Sequence, residues 1–232
     1  MKRLITLIAM LALLVGVLPA YAAGAMNASE EVWYVAPRAG EHRIYYYATV
    51  ENTGDEAATI NDLLFEADDA AGADLASTSR YALYPSVLQS GETGYLAITL
   101  DVKDLQDEGD VDHCTLTFTS KKQDDKAARR LDAAAEYLSE DEEGTKDVLR
   151  TAVTNTGTDD AFDINSAVAA RDAQGRLLFV AGATARDIGL VPGAQLLMRT
   201  SVPEGVADAL EEEQTRIDSL DAIAWVLEDV ED

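Results

Sequence analysis

Nucleophilic catalysis by a serine or a cysteine requires a nearby base, which is most often histidine. The chain of 232 residues has two histidines, His42 and His113, and one cysteine, Cys114. His113 and Cys114 are adjacent on a predicted strand, so their side chains point to opposite faces and cannot readily form a thiolate–imidazolium pair. The apolar residues around Cys114 indicate a buried, unreactive thiol. The sequence therefore predicts no catalytic residue.

Metal chemistry has equally little support. The two histidines lie on separate predicted elements without the spacing of zinc ligands, and the chain lacks an Asp-x-Asp-x-Asp-Gly calcium loop. Two groups of turn acids leave a looser calcium site open, although solvated carboxylates are the preferred interpretation: Asp68, Asp69 and Asp74, and Asp159, Asp160 and Asp163. No metal site and no cofactor is predicted. A metal-assisted hydrolase stays as a third alternative that would need His113 and several carboxylates to converge.

The aromatic residues are concentrated in the first half of the chain. We select Trp33, Tyr45, Tyr46 and Tyr47 as candidate ligand-binding residues. Successive strand residues point to opposite faces, so some of these tyrosines face outward, where an amphipathic ring suits sugar stacking or a protein contact. The competing interpretation places them at the rim of a small sandwich or between two domains.

The first 22 residues have the three zones of a secretory signal peptide: basic Lys2 and Arg3, an apolar run from Leu4 to Leu18, and the small-residue site Ala20-Tyr21-Ala22. We expect a secreted protein, or a periplasmic one if the source has two membranes. No cysteine stands at the cleavage site for lipid attachment. Cleavage removes two positive charges and no negative ones, so the net charge of −25 becomes −27. That sign opposes binding to nucleic acid and to anionic membranes.

The chain repeats itself with a period of about 103 residues. Three turns match in the same order, and Leu116–Phe118 matches Ile223–Trp225 near the ends of the repeats. The turn pairs are Thr49–Gly54 with Ala152–Gly157, Asp69–Leu75 with Asp172–Leu178, and Leu88–Glu92 with Leu190–Ala194. We predict domains at 29–120 and 133–230. The charged connection 121–132 lacks Gly and Pro and is expected to be semi-rigid, with a helical turn or two.

Within each repeat the hydrophobic pattern is that of strands separated by turns every eight to twelve residues. Ile44, Tyr46, Ala48 and Val50 fall on one face and Tyr45, Tyr47 and Thr49 on the other, as in a half-buried strand. Pro203–Leu220 alone is closer to helical spacing. The predicted fold is all-β: two tandem immunoglobulin-like antiparallel β-sandwich domains of about seven strands, with a short helix in the second.

The order of strand, Asn-x-Gly turn, long strand ending in Asp-x-x-Gly-x-Leu, and a Leu-x-Pro-Gly turn resembles bacterial extracellular immunoglobulin-like modules of the FxLYD kind. The resemblance covers about ninety residues of each repeat. It implies a secreted or surface protein without catalytic residues.

Two functional hypotheses follow. The first is a non-catalytic secreted protein that binds an extracellular protein or polysaccharide through the tyrosines of the first repeat. The second is a structural spacer or assembly subunit in which those aromatic residues are buried between the repeats. The solvent exposure of Tyr45, Tyr46 and Tyr47 distinguishes them.

Overall fold

A computed structural model describes residues 25–38, 41–103, 105 and 107–230. The predicted signal peptide lies outside the described residues. The fold is an all-β antiparallel sandwich architecture with a single α-helix among the described residues. We use "first half" for the described residues up to 122 and "second half" for 126–230.

The first half has seven strands and a 3-10 turn at Glu108–Asp110: β1 (Met26–Arg38), β2 (Glu41–Asn52), β3 (Ala58–Asp68), β4 (Asp74–Thr78), β5 (Ala82–Tyr84), β6 (Thr93–Val102) and β7 (His113–Lys122). The second half has six strands and one helix: β8 (Lys126–Glu140), β9 (Lys146–Thr154), β10 (Ala161–Arg171), β11 (Leu177–Leu190), β12 (Gln195–Ser201), α1 (Glu204–Glu212) and β13 (Ser219–Asp229).

The first half is a two-layered sandwich. A four-stranded sheet in the order β1-β2-β6-β5 covers a three-stranded sheet in the order β4-β3-β7. As the alternation predicts, Ile44, Tyr46, Ala48 and Val50 of β2 are all buried between the layers, where they join Phe65 of β3 in one hydrophobic cluster. The opposite face of β2, with Tyr45 and Tyr47, therefore points away from this core.

The second half repeats this plan with one strand shared between its layers. Its strands follow the order β11-β10-β13-β8-β9-β12. Residues 126–131 of β8 pair with β13, whereas residues 132–140 pair with β9. In addition, β11 runs unbroken through the positions that β4 and β5 occupy in the first half. The second half consequently has six strands rather than the predicted seven.

The repeated Asn-x-Gly turns have the same hydrogen bonds in both halves. Asn52 and Asn155 are both fully buried. The Asn52 side-chain amide donates to the carbonyls of Glu56 (2.8 Å) and Leu88 (2.9 Å), and its oxygen accepts from the Gly54 N–H (3.0 Å). Asn155 makes the equivalent three bonds at 2.8, 2.7 and 3.1 Å. The two turns are therefore equivalent in structure as well as in sequence. In both, the buried amide satisfies its hydrogen-bonding groups in the same way.

The repeated aspartate turns are also equivalent. The Asp69 Oδ1 accepts from the N–H groups two and four residues on, at 2.8 and 2.9 Å. The Asp172 Oδ1 accepts the same two bonds, both at 2.9 Å. The glycine of each turn has a positive φ, 76° at Gly72 and 77° at Gly175, which other residues adopt only with strain. Both carboxylates are thus used by their own turns.

The connection between the halves corrects the prediction for 121–132. β7 continues to Lys122 and β8 begins at Lys126, so the connection is residues 123–125 and contains no helix. The charged residues belong to a strand: on β8, Lys126 pairs with Asp229 and Arg129 with Glu228 across the ladder to β13. The start of β8 was predicted to be a linker because its charged residues hide the apolar alternation that indicates a strand.

Two further details sharpen the sequence alignment. Helix α1 confirms the helical spacing after Pro203, but it ends at Glu212 because β13 begins at Ser219. The last strands of the two repeats are β7 and β13. Leu116 of β7 pairs with Phe65 of β3, and Ala222 of β13 pairs with Val168 of β10. Since Phe65 and Val168 are equivalent at the 103-residue period, Leu116 corresponds to Ala222, and the predicted match to Ile223 was wrong by one residue.

Candidate functional site: the contact between the halves

The four predicted ligand-binding residues do not form a surface patch. Tyr46 is 1% exposed and lies in the core of the first half, with its ring centroid 4.7 Å from that of Phe65. Tyr47 is 2% exposed but lies on the other face of β2, against the second half. Tyr45 is half-buried on that same side, and Trp33 is half-buried against the first core. These residues thus divide between two different environments.

Five tyrosines form one surface, which we call the tyrosine face. Strand register places them on the outer side of the β1-β2-β6-β5 sheet, since directly paired residues share a face: Tyr34, Tyr45, Tyr47, Tyr84 and Tyr95. All five pack into a hydrophobic cluster that also contains residues of β10, β11, α1 and β13. The face is therefore covered by the second half of the chain.

Small residues of the second half allow the rings of the tyrosine face to pack closely. Ala167 and Ala169 of β10 are fully buried in the shared cluster, and Gly182 is the β11 partner of Ala167. A Cβ atom added to Gly182 would lie 2.6 Å from the Tyr84 ring. The Tyr84 ring also packs against Trp225, with ring centroids 6.0 Å apart and ring planes at 57°. A larger side chain at position 182 would displace Tyr84.

Helix α1 makes the second close approach. It packs against β1, and a Cβ atom on Gly205 would overlap the Cβ of Ala36 and reach 3.2 Å from the Tyr45 ring. Val206 and Leu210 of the helix are buried in the shared cluster. Glycine at position 205 thus permits a contact that alanine would not.

Ion pairs and hydrogen bonds join the edges of this contact. The Arg171 guanidinium donates two bonds to the Glu30 carboxylate, at 2.9 and 3.2 Å, and the Thr49 hydroxyl donates to the same carboxylate at 2.7 Å. The bond from Arg171 is the main reason that the pKa of Glu30 is lowered. Arg130 bonds to Glu92 across the junction, which adds a second ion pair between the halves.

The Tyr95 hydroxyl donates to the Asp221 carboxylate on β13. Burial, followed by the negative charge of Asp221, raises the pKa of Tyr95 to about 12. The phenol is thereby held in its neutral, donating form. This bond connects the buried Tyr95 of the tyrosine face to the exposed Asp221 of β13.

A groove of about 510 Å³ opens beside the contact. Residues 30–34 of β1 form one wall, residues 176–178 form the opposite wall, and Glu213 and Thr215 close the end after α1. Tyr34, Leu177 and Leu178 of the shared cluster line this groove. Of the four ligand-binding residues predicted from the sequence, Trp33 lines this groove.

The residues considered for catalysis do not form a nucleophile–base pair, although Asp68 pairs with His113 across the β3–β7 ladder. His113 is exposed, whereas the Cys114 side chain is half-buried against the first core. Burial, with a smaller contribution from Asp68, raises the pKa of Cys114 to about 12, which disfavours the thiolate. Across residues 25–230, apart from the few not described, no group of three His, Cys, Asp or Glu side chains is placed to hold a metal ion.

Sequence reasoning identified the tyrosines and offered burial between the repeats as one hypothesis, but it did not identify the residues that they contact. Gly182, Gly205 and Arg171 carry no local pattern that sets them apart from turn glycines or surface arginines. One usable signal was the Ala-rich run Ala167–Ala170, because adjacent alanines on a strand leave both faces open to close packing.

No family model matches the chain, and no curated protein matches it significantly. The FxLYD resemblance thus stays a prediction. None of the described helices is long and apolar enough to cross a membrane.

Proposed function

We propose that this protein is a non-catalytic, exported structural subunit of an extracellular assembly, in which the two halves act as one rigid body. One observation carries the proposal: the tyrosine face, the most aromatic surface of the chain, is buried against the second half rather than offered to a ligand. Of the two hypotheses from the sequence, this burial favours the structural one.

The extent of the contact supports rigidity. It combines a continuous apolar cluster with two ion pairs and a part-buried Tyr95–Asp221 hydrogen bond. Contacts between independently moving domains are usually smaller and more polar. The short connection, residues 123–125, adds a covalent restraint. A body of this kind holds its outer surfaces at fixed positions, as an assembly subunit must.

The export part of the proposal rests on the basic, apolar and small-residue zones of residues 1–22. The strongly negative charge supports solubility at high concentration outside the cell. The non-catalytic part rests on Cys114, whose burial disfavours the thiolate and whose side chain lies on the opposite strand face from His113.

Distance measurements between two spin labels test the rigidity. In a Cys114→Ala background, labels at Thr117→Cys on β7 and Leu197→Cys on β12 occupy exposed positions in different halves. We expect one narrow distance distribution in pulsed electron paramagnetic resonance. A broad or two-peaked distribution would show that the halves move independently and would refute the proposal.

A matched label pair within the first half, Thr117→Cys with Glu51→Cys, gives the width that the labels themselves produce. The inter-half distribution should be no wider than this control. Adding Tyr47→Ala and Tyr95→Ala should broaden the inter-half distribution and leave the control unchanged.

A further inference from the structure

The groove runs along the edge of strand β1. Five consecutive residues, 30–34, line it. The ladder with β2 shifts between Ser29 and Val32, and Glu30 has a φ of 50°, so regular alternation holds only from Val32 onward. Val32, Trp33 and Tyr34 still touch the cavity in succession, which places it along the strand edge, where main-chain groups point. β1 is the outermost strand of its sheet and pairs only with β2 among the described strands. An unpaired edge of this kind is a template for another strand.

The opposite wall is also the edge of a sheet. Residues 176–178 lead into β11, which is the outermost strand of the second half's sheet and pairs with β10 alone over this segment. Leu177 and Leu178 present an apolar surface there, and both are more than nine-tenths buried. The groove therefore offers hydrogen-bonding edges along its sides and apolar side chains at its base.

The charge of the groove is negative. Glu30 is paired with Arg171, and Arg176 is paired with Asp172. Glu31 and Glu213 also line the groove, and neither has an ion-pair partner in the described structure. Two carboxylates are thus left uncompensated at opposite sides of one narrow space.

A buried polar group lies beside one of these carboxylates. The Tyr46 hydroxyl, in a side chain 1% exposed, has no partner with hydrogen-bond geometry. After burial, the Glu31 carboxylate is the strongest influence raising the pKa of Tyr46, so the two groups are near neighbours. A neutral phenol can donate to a carboxylate without cancelling its charge, so the charge of Glu31 stays available to a basic side chain. Trp33, half-buried on the same wall, supplies a ring that suits a basic side chain.

We infer that the groove binds an extended, positively charged segment of a partner protein, which adds as a strand to the free edge of β1 and places Lys or Arg side chains at Glu31 and Glu213. Main-chain hydrogen bonds to the edge provide affinity, and the two carboxylates select basic over acidic segments. This site goes beyond the structural role and does not depend on it, since the groove walls could bind a segment whether or not the assembly proposal holds.

Fluorescence anisotropy with the purified chain tests the inference. The probes are a dye-labelled peptide of sequence Thr-Lys-Val-Arg-Val-Lys-Thr and its counterpart with Glu at the three basic positions. We expect saturable binding of the basic peptide, weakened by salt, and no binding of the acidic one. Binding of both peptides, or of neither, would overturn the inference.

Charge reversal locates the site. The double variant Glu31→Lys/Glu213→Lys should bind the basic peptide at least about tenfold more weakly, because both carboxylates are lost. The matched control, Glu108→Lys/Glu142→Lys, makes the same change in net charge at exposed positions outside the groove and should bind as the parent does. Equal losses in both variants would show non-specific attraction to an acidic surface and would overturn the inference.

Backbone methylation tests strand addition. In one version of the basic peptide, N-methyl groups on alternate residues block the N–H groups of one edge; in the other version they block the opposite edge. Only one of the two should lose binding, because an added strand uses one edge. Equal effects would contradict strand addition.

Sedimentation equilibrium tests whether a second copy of the chain occupies the groove instead of a partner protein. If the parent chain self-associates and the Glu31→Lys/Glu213→Lys variant does not, the groove serves a second copy and the inference is wrong. The spin-label distances should be unaffected by the double variant, so failure of this inference is separable from failure of the structural proposal.

Discussion

The two halves present the same sheet face with opposite chemistry. In the first half, the outer face of β2 and β6 carries Tyr45, Tyr47 and Tyr95 and is covered. In the second half, the corresponding face of β9 and β12 carries Arg150, Leu197 and Arg199 and is open to solvent, with Leu197 61% exposed. The same fold thus has an aromatic, covered sheet face in the first half and a charged, exposed sheet face in the second half. Fold alone does not decide whether a sheet face is an interface.

The polar face has a consequence for assembly. The contact joins different surfaces of the two repeats, and contacts of that type extend into open chains when each unit offers both surfaces. The charged face of the second half lacks the rings that would receive another copy. Capping units of repeat proteins likewise end in polar surfaces.

The largest effect should come from removing a ring at the contact. Tyr47→Ala deletes a fully buried aromatic side chain, and we expect a loss of about 3–4 kcal/mol in the free energy of unfolding. The equivalent change in the second half, Arg150→Ala, removes a partly exposed side chain that pairs with Glu136 at 3.7 Å, so its effect should be below about 1 kcal/mol. Urea denaturation followed by tryptophan fluorescence measures both. Similar losses would mean that the two faces contribute alike.

A smaller effect is expected at the contact of α1 with β1. Gly205→Ala should destabilise the chain by about 1–3 kcal/mol, although alanine normally favours a helix over glycine, because its methyl group overlaps Ala36. The double variant Gly205→Ala/Ala36→Gly removes the overlap and should recover part of the loss. A double-mutant cycle gives the coupling. If the two changes are additive, the approach of the helix to β1 is not the cause.

Alkaline pH should weaken the covered face gradually. The pKa of Tyr95 is raised from its ordinary 10.0 to about 12 in the folded chain, so its contribution is complete below pH 10 and is lost as the pH rises through 12. We expect the free energy of unfolding to fall across this window. Tyr95→Phe, which keeps the ring but has no proton to lose, should show a shallower fall. Circular dichroism at a series of pH values measures the slope, and identical slopes would contradict the assignment.

The sequence predicted the features that depend on neighbouring residues. The Asn-x-Gly and aspartate turns recur because each side chain bonds to its own backbone within a few residues, and the alternation of Ile44 to Val50 follows from the strand geometry. The helix after Pro203 was also predicted correctly in type.

The sequence offered burial between the repeats as one of two hypotheses for the outward tyrosines, but it could not identify the residues that cover them. Alternation shows that Tyr45 and Tyr47 leave the first core, whereas Gly182, which contacts Tyr84, lies in the other half of the chain and approaches only through the packing of the halves. Strand β8 was missed for a related reason. Its first residues are charged, and only the pairing of Lys126 and Arg129 with β13 makes them a strand.

The connection between the halves lies close to both ends of the described chain. The start of the first half bonds to its own turn (Thr53 N–H to the Ala25 carbonyl, 2.8 Å), and its end bonds nearby (Gln123 N–H to the Ala57 carbonyl, 2.9 Å). The second half closes beside that point, where the Val230 N–H donates to the Asp125 carbonyl at 3.1 Å. Residues 25, 123–125 and 230 thus lie at one end of the body. A force applied between residues 25 and 230 would act at that end and would not load the full length of either sandwich.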